Sequence, residues 1–286
     1  MSAAIKKITH NELYAFIHYV YDVSGINLGT NKAYLIESRM RELLVEYHCS
    51  TFAELLHLAR RDRGRSLQKK IIDRVTTNET YFFRNIAPFQ LLLHKILPDL
   101  IDKRTVPGKN TPVPIKIWSA ACSTGQEVYS IAIVLKKLLP DLDHYHIKLL
   151  GTDISNAAIA KASYGTYSRF EVDRGLPKEI LNTYFLRRNN EWKIRDDIRA
   201  MVQFGKRNLM KPFDGLGVFD IIFCRNVAVY FSKTDRQKFF ERLARVLSPD
   251  GYLILGSTES MLGLSTCFEP REHLRTVFYK KKPEHR

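Results

Sequence analysis

Apolar positions recur at helical spacing from Thr9 to Val75. Leu13, Phe16, Ile17 and Val20 fall on one face of a helix that opens at the capping box Thr9-x-x-Glu12. A second helix is predicted over Asn31 to Tyr47, a third behind the box Thr51-x-x-Glu54, and a fourth from about Ser66 to Val75. Together they predict a small all-helical domain over residues 1–76. Residues 77–114 read as a linker with a connecting helix, ending in the punctuation Pro107, Gly108, Pro112 and Pro114. From there short apolar runs alternate with amphipathic segments of helix length. Strands are predicted over Ile115 to Ala121, Ile147 to Thr152, Val202 to Phe204, Phe219 to Cys224 and Gly251 to Ser257. The helices between them are predicted over Glu127 to Leu139, Asn156 to Ala162 and Lys233 to Leu247. This alternation implies an α/β domain over 115–286, with a largely parallel sheet covered on both faces and a ligand site outside the carboxyl ends of its strands. Tyr164 to Ala200 breaks the rhythm. It is longer than a crossover and contains a candidate hairpin at Asn189-Asn190 before Trp192-Lys193-Ile194, so an inserted subdomain is expected over 164–200.

Composition narrows the function classes. Of 286 residues, 45% are apolar, enough for a sizeable core, and no run approaches the roughly 18 apolar residues of a membrane span. The formal net charge of +15 favours an acidic partner: nucleic acid, anionic lipid or an acidic protein. The four cysteines (Cys49, Cys122, Cys224 and Cys267) have no C-x-x-C spacing, and no apolar signal core follows Met1. Reduced thiols in a cytoplasmic protein are expected, without metal, since no Cys/His pairs stand at ligand spacing.

Four constellations can carry chemistry. Trp118-Ser119-Ala120-Ala121-Cys122-Ser123-Thr124-Gly125-Gln126-Glu127 takes a strand through a small-residue turn into a helix. Such a turn either packs tightly or brings backbone N–H groups to a ligand, and without a P-loop Lys or G-x-G-x-x-G it suits a nucleoside lacking a pyrophosphate. Asp153 ends the next strand, where a carboxylate can accept ribose hydroxyls or cap the following helix. Asn208-Leu209 and Cys224-Arg225-Asn226-Val227-Ala228-Val229-Tyr230-Phe231 follow two further strands. Thr76 to Arg84 sets Asn78, Thr80 and Arg84 among three aromatics, as an interdomain hinge with a structural arginine or as a segment presenting a guanidinium.

In combination, Thr-Asn-x-Thr-x-Phe-Phe-Arg at 77–84, Trp-Ser-Ala-Ala-x-Ser-Thr-Gly-x-Glu at 118–127, Thr-Asp-Ile at 152–154 and Cys-Arg-Asn-Val-x-x-Tyr-Phe at 224–231 resemble the CheR-type chemotaxis receptor methyltransferases over nearly the whole chain. The resemblance implies a class I, Rossmann-like S-adenosylmethionine methyltransferase domain with a small N-terminal helical domain and an inserted antiparallel β-subdomain. It implies S-adenosyl-L-methionine as cofactor, S-adenosyl-L-homocysteine as product, and glutamates on the cytoplasmic methylation helices of chemoreceptors as acceptors. Asn78, Thr80 and Arg84 are then expected near the methionine end and the active site, and Glu127 at the methionine portion. Asp153 is expected at the ribose, Asn208 with Leu209 on the adenine side, and Arg225, Asn226 and Tyr230 closing the pocket. Gln126, Val128 and Ala228 depart from the residues common in that family.

An ionised glutamate needs no general base, so Arg84 and Tyr230 are the expected catalytic pair, orienting the acceptor carboxylate. The basic run Arg60, Arg61, Arg63, Arg65, Lys69, Lys70 and Arg74 is either a solvated helix face or the docking face for the acidic receptor. Family members that use a receptor pentapeptide tether carry a longer, glycine-rich hairpin loop. Arg187 to Trp192 is short and lacks Gly, which predicts tether independence. Two other readings are a nucleic-acid methyltransferase, for which the N/D-P-P-Y/F and Pro-Cys motifs are missing, and a cofactor-sensing scaffold. No nucleic-acid partner and no membrane insertion are expected.

Overall fold

The computed structural model describes residues 6–106 and 111–283. Four helices come first: α1 (His10–Ser24), α2 (Ala33–Glu46), α3 (Phe52–Arg61) and α4 (Ser66–Val75). The Thr9 box is real, and Glu12 does more than cap, because its second oxygen accepts from Ala53 N at 3.0 Å and ties α1 to the start of α3. Phe16, Met40, Phe52, Leu55 and Ile71 close a separate core among these helices.

The segment expected as a connector is helical as α5 (Ala87–Leu91), a π-helical stretch (Leu92–Ile96) and α6 (Leu97–Arg104). It is no spacer: Leu92, Ile96, Leu97 and Leu100 are fully buried in the core of the large sheet. Pro107 and Gly108, expected as linker, lie outside the described residues.

The sheet contains β1 (Val113–Ala120), β2 (Tyr145–Asp153), β6 (Val202–Lys206), β7 (Phe219–Cys224), β8 (Leu247–Leu255), β9 (Phe268–His273) and β10 (Thr276–Lys281), in the order β6-β2-β1-β7-β8-β10-β9. The first five are parallel, and β10 runs antiparallel to both of its neighbours, β8 and β9. Strand β1 begins two residues before the expected Ile115 and takes in Pro114. Near the strand start, where only β2 lies alongside, its missing N–H is tolerated. Along β1, Ile115 and Ile117 enter one layer and Trp118 and Ala120 the other. Helix α7 (Gln126–Leu138) packs in the first layer and α12 (Lys233–Val246) in the second, while α8 (Asn156–Tyr164) follows β2.

The chain leaves β1 outward through β2 to β6, then returns to the other side through β7 and β8. The order therefore reverses at β1, and the crevice outside the carboxyl ends of β1, β2 and β7 is the natural ligand position.

The insertion is a three-stranded antiparallel sheet, ordered β3 (Thr166–Ser168), β5 (Glu191–Ile194), β4 (Phe185–Arg188), with short helices α9 (Arg169–Asp173), α10 (Lys178–Tyr184) and α11 (Asp196–Arg199). Asn189 takes the left-handed conformation (φ 53°) in the turn between β4 and β5, as a tight hairpin requires. The basic residues Lys280 and Lys281 end strand β10: Lys280 lies 3.5 Å from the Tyr252 ring centroid, and burial lowers its pKa to about 8. Among the described residues no helix is long and apolar enough to cross a membrane.

Candidate active site

At the end of β1 the chain alternates through left-handed residues: Ala121 (φ 61°), Ser123 (φ 49°) and Gly125 (φ 95°). Gly125 has no substitute here, since a Cβ would come within 2.9 Å of Ala162 Cβ. The turn is fixed from two sides. Ser123 N donates to Asp153 Oδ2 at 2.9 Å, and the Tyr167 hydroxyl of β3 donates to Thr124 O at 2.9 Å. Asp153 also accepts from Ser155 N (2.9 Å), while the cap of α8 is Ser155, whose hydroxyl accepts from Ala158 N. The capping alternative for Asp153 thus falls to Ser155, and the 7% exposed carboxylate faces the crevice with its pKa raised by burial.

Glu127 opens α7. Its carboxylate accepts from Ser119 Oγ (2.8 Å) and from Arg225 Nη1 (3.0 Å). The Arg225 side chain, 1% exposed, also donates to the carbonyl of Arg84 (2.7 Å), so one buried guanidinium joins β7, α7 and the 77–84 segment. That segment is anchored by buried Phe82 and Phe83 and by Phe83 N donating to Ser130 Oγ. Phe83 and Asn85, both left-handed, bracket Arg84. Arg84 donates to the Glu79 carbonyl (2.8 Å) and lies over the Tyr81 ring, leaving its charge without a carboxylate partner among the described residues.

One cavity collects Asn78, Thr80, Arg84, Glu127, Asp153, Asn208, Leu209, Arg225, Asn226 and Tyr230, every residue expected at the cofactor or the acceptor. Asn208 is already committed: its Nδ2 donates to Val23 O (3.2 Å) and its Oδ1 accepts from Met210 N (2.8 Å), stitching the end of α1 to the sheet domain. Asn27 N donating to Tyr230 O, and the Tyr21 hydroxyl donating to Asp235, complete that seam.

Two groups of residues escaped the sequence reading. Leu35, Ile36 and Arg39, with Lys32 just before the helix, bring α2 onto the cavity, so the helical domain forms part of its wall. Amphipathic spacing marked α2 without telling which element its second face meets. Glu259 is the other. One oxygen accepts from Val227 N and Ala228 N (3.0 and 2.9 Å), the other from Asn226 N and Gly256 N (2.6 and 2.8 Å). This carboxylate clasps the loop that carries Arg225, Asn226 and Tyr230, and lying past the last predicted strand it gave no periodic signal.

The donor set fits a nucleoside with a zwitterionic tail. Asp153 can accept from vicinal hydroxyls, Glu127 retains lone pairs for an ammonium group, and Ser123 Oγ and Asn226 Oδ1 are buried at the cavity without an intramolecular partner. Comparison with known proteins agrees. Residues 78–277 match the family description "CheR methyltransferase, SAM binding domain", and residues 11–76 match "CheR methyltransferase, all-alpha domain". Chemotaxis protein methyltransferase 1 of Vibrio cholerae is 36% identical over 283 residues, covering 96% of this chain and 98% of the relative. The chemotaxis protein methyltransferase of Borreliella burgdorferi is 35% identical over 277 residues (96% and 95%), and chemotaxis protein methyltransferase Cher2 of Pseudomonas putida 34% identical over 262 (90% and 93%). The chain belongs to the CheR methyltransferase family: it is an S-adenosylmethionine-dependent methyltransferase of chemotaxis.

Proposed function

We propose that this chain methylates glutamate side chains on the cytoplasmic methylation helices of chemoreceptors, giving glutamate methyl esters. The observation that carries the reading is the guanidinium of Arg84, which has no carboxylate partner among the described residues and shares with Tyr230 the wall of a cavity whose donor set fits the cofactor. The bound cofactor supplies an electrophilic methyl group on a sulfonium sulfur. Asp153 holds the ribose hydroxyls, Asn208 and Leu209 flank the adenine side, and Glu127, Asn78 and Thr80 hold the methionine end. Arg225 and Asn226 close the pocket. A glutamate with a reference pKa of about 4.3 arrives ionised, so the protein has no proton to remove. Its task is alignment and exclusion of water, and Arg84 by charge and Tyr230 by a hydrogen bond orient the acceptor carboxylate. Esterification removes the negative charge, weakens the Arg84 contact and favours release.

Residues 1–76 serve as the receptor-docking unit of this cytoplasmic enzyme. Its basic run is partly spent: Lys70 pairs with Glu46, and Arg74 with Glu42, both acids supplied by α2. Arg60, Arg61, Arg63, Arg65 and Lys69 are exposed and, among the described residues, have no carboxylate within ion-pair distance, which supports docking on an acidic helix. A two-residue turn without glycine between β4 and β5 supports independence from a pentapeptide tether.

The test is transfer of labelled methyl from S-adenosylmethionine into membranes bearing the host's own chemoreceptors. Release of the label as volatile methanol in alkali is expected. Label confined to nucleic acid, or cofactor binding without protein labelling, would overturn the reading.

A further inference from the structure

Arg84 is not the only guanidinium on the 77–84 segment. Arg174, at the end of α9 in the insertion, lies with its Cζ 4.5 Å from the Tyr81 ring centroid, while Arg84 Cζ lies 5.7 Å from the same centroid. The turn that carries Arg174 packs closely against this segment. Gly175 is left-handed (φ 99°), and a Cβ there would stand 2.2 Å from Phe82 O. Arg174 Nη2 donates to Glu79 Oε1 at 2.8 Å, and Glu79 lines the cavity between Asn78 and Thr80. Arg174, by hydrogen bond and charge, and then Arg84 by charge, hold the Glu79 carboxyl below the usual range. A glutamate carboxylate of the protein itself therefore already occupies the field of two arginines at the rim of the site.

We propose that Arg174 is a specificity-determining residue for the acidic methyl acceptor, and that Glu79 is the internal carboxylate which acidic side chains of the acceptor displace from it. This rests on the glutamate-acceptor reading above. The pair suits displacement, because its side chains are 42% and 59% exposed, and ion pairs this open to solvent are weak. With Glu79 in place the cluster of Arg84, Glu79 and Arg174 carries two positive charges and one negative, Arg84 and Glu79 on the cavity and Arg174 just outside its lining. An incoming carboxylate exchanges one partner for another, whereas a cationic side chain meets repulsion and gains nothing. The insertion thus acts on acceptor choice from the cavity rim, separately from the basic helices of the N-terminal domain.

The experiment measures KM for chemoreceptor-bearing membranes, kcat and the cofactor Kd in the wild-type protein, Arg174→Ala and Glu79→Gln. Arg174→Ala is expected to raise KM about three- to fivefold, with kcat and cofactor Kd near wild type. Glu79→Gln, which frees the guanidinium, is expected to lower KM by a similar factor. The opposite signs are decisive, since both variants break the same ion pair. If the pair were only a staple of the insertion, both would shift KM and Tm in the same direction, and that result overturns the proposal, as does an unchanged KM in both. Failure of the wild type to give base-labile label would instead remove the glutamate reading, and this inference with it.

Discussion

Asp153 concentrates the chemistry of the crevice in one side chain. Burial raises its pKa although the backbone N–H groups of Ser155, Ser123 and Ile154 favour the charged form, so burial outweighs the hydrogen bonds. The sign follows from linkage. A carboxyl whose folded pKa exceeds its unfolded value favours the folded state when protonated, and that contribution is lost as pH rises through the folded pKa. Ribose hydroxyls donating to Asp153 would stabilise the ionised form and lower the pKa again. Cofactor binding should therefore release a proton, and affinity should weaken as pH falls toward the range above 3.8 where free Asp153 takes one up. Calorimetry at several pH values in buffers of different ionisation enthalpy checks this. Asp153→Asn should bind weakly with little pH dependence, and an unchanged pH profile in that variant would remove Asp153 from the ribose. Asp153 was legible in the sequence because a polar residue that ends an apolar strand has few places to go. Glu127 was legible only through its motif, and its pairing with Arg225, 98 residues away, has no local trace.

Elements were read best where their ends are marked by side chains. Thr9, Thr51 and the Asn189-Asn190 turn specify local hydrogen bonds or backbone conformation, and the structure begins or turns elements there. Strand β8 begins at Leu247, where a helix end was expected, because pairing with β7 extends it beyond its apolar run. The β9–β10 hairpin was missed: half of its outer strand is exposed and half is charged, so no apolar alternation reveals it. The loop after β7 depends on Glu259, which answers four backbone N–H groups from outside the loop. Asn226 adopts φ 57° there, a conformation that needs such support. Glu259→Gln replaces one acceptor oxygen by a donor and should release about half of these bonds. We expect kcat to fall about tenfold or more as Tyr230 loses its register, since misplacement by about 1 Å can cost on the order of 100-fold. Thermal unfolding measured alongside separates loosening of the loop from loss of the fold. Full activity in a folded Glu259→Gln protein would count against the clasp.

At the scale of the molecule, the +15 charge is a statement about encounter more than about chemistry. The sequence exposed the basic run but not its local compensation, because Glu42 and Glu46 precede it by a helix and reach Arg74 and Lys70 only through packing of α2 against α4. The residues left to attract an acidic partner are therefore on α3, the turn after it and the start of α4. Screening shortens the reach of such charges from about 10 Å at 0.1 M salt to about 3 Å at 1 M. On the proposed receptor reading, kcat/KM for receptor membranes should fall steeply with added salt while the cofactor Kd changes little, the cofactor being bound in a partly buried crevice. Replacing Arg63, Arg65 and Lys69 together by glutamine should flatten that dependence, whereas Lys70→Gln, which removes a charge already answered by Glu46, should change it less. Initial rates across a salt series decide the matter: equal slopes for the two variants would mean that net charge, and not this face, governs the encounter.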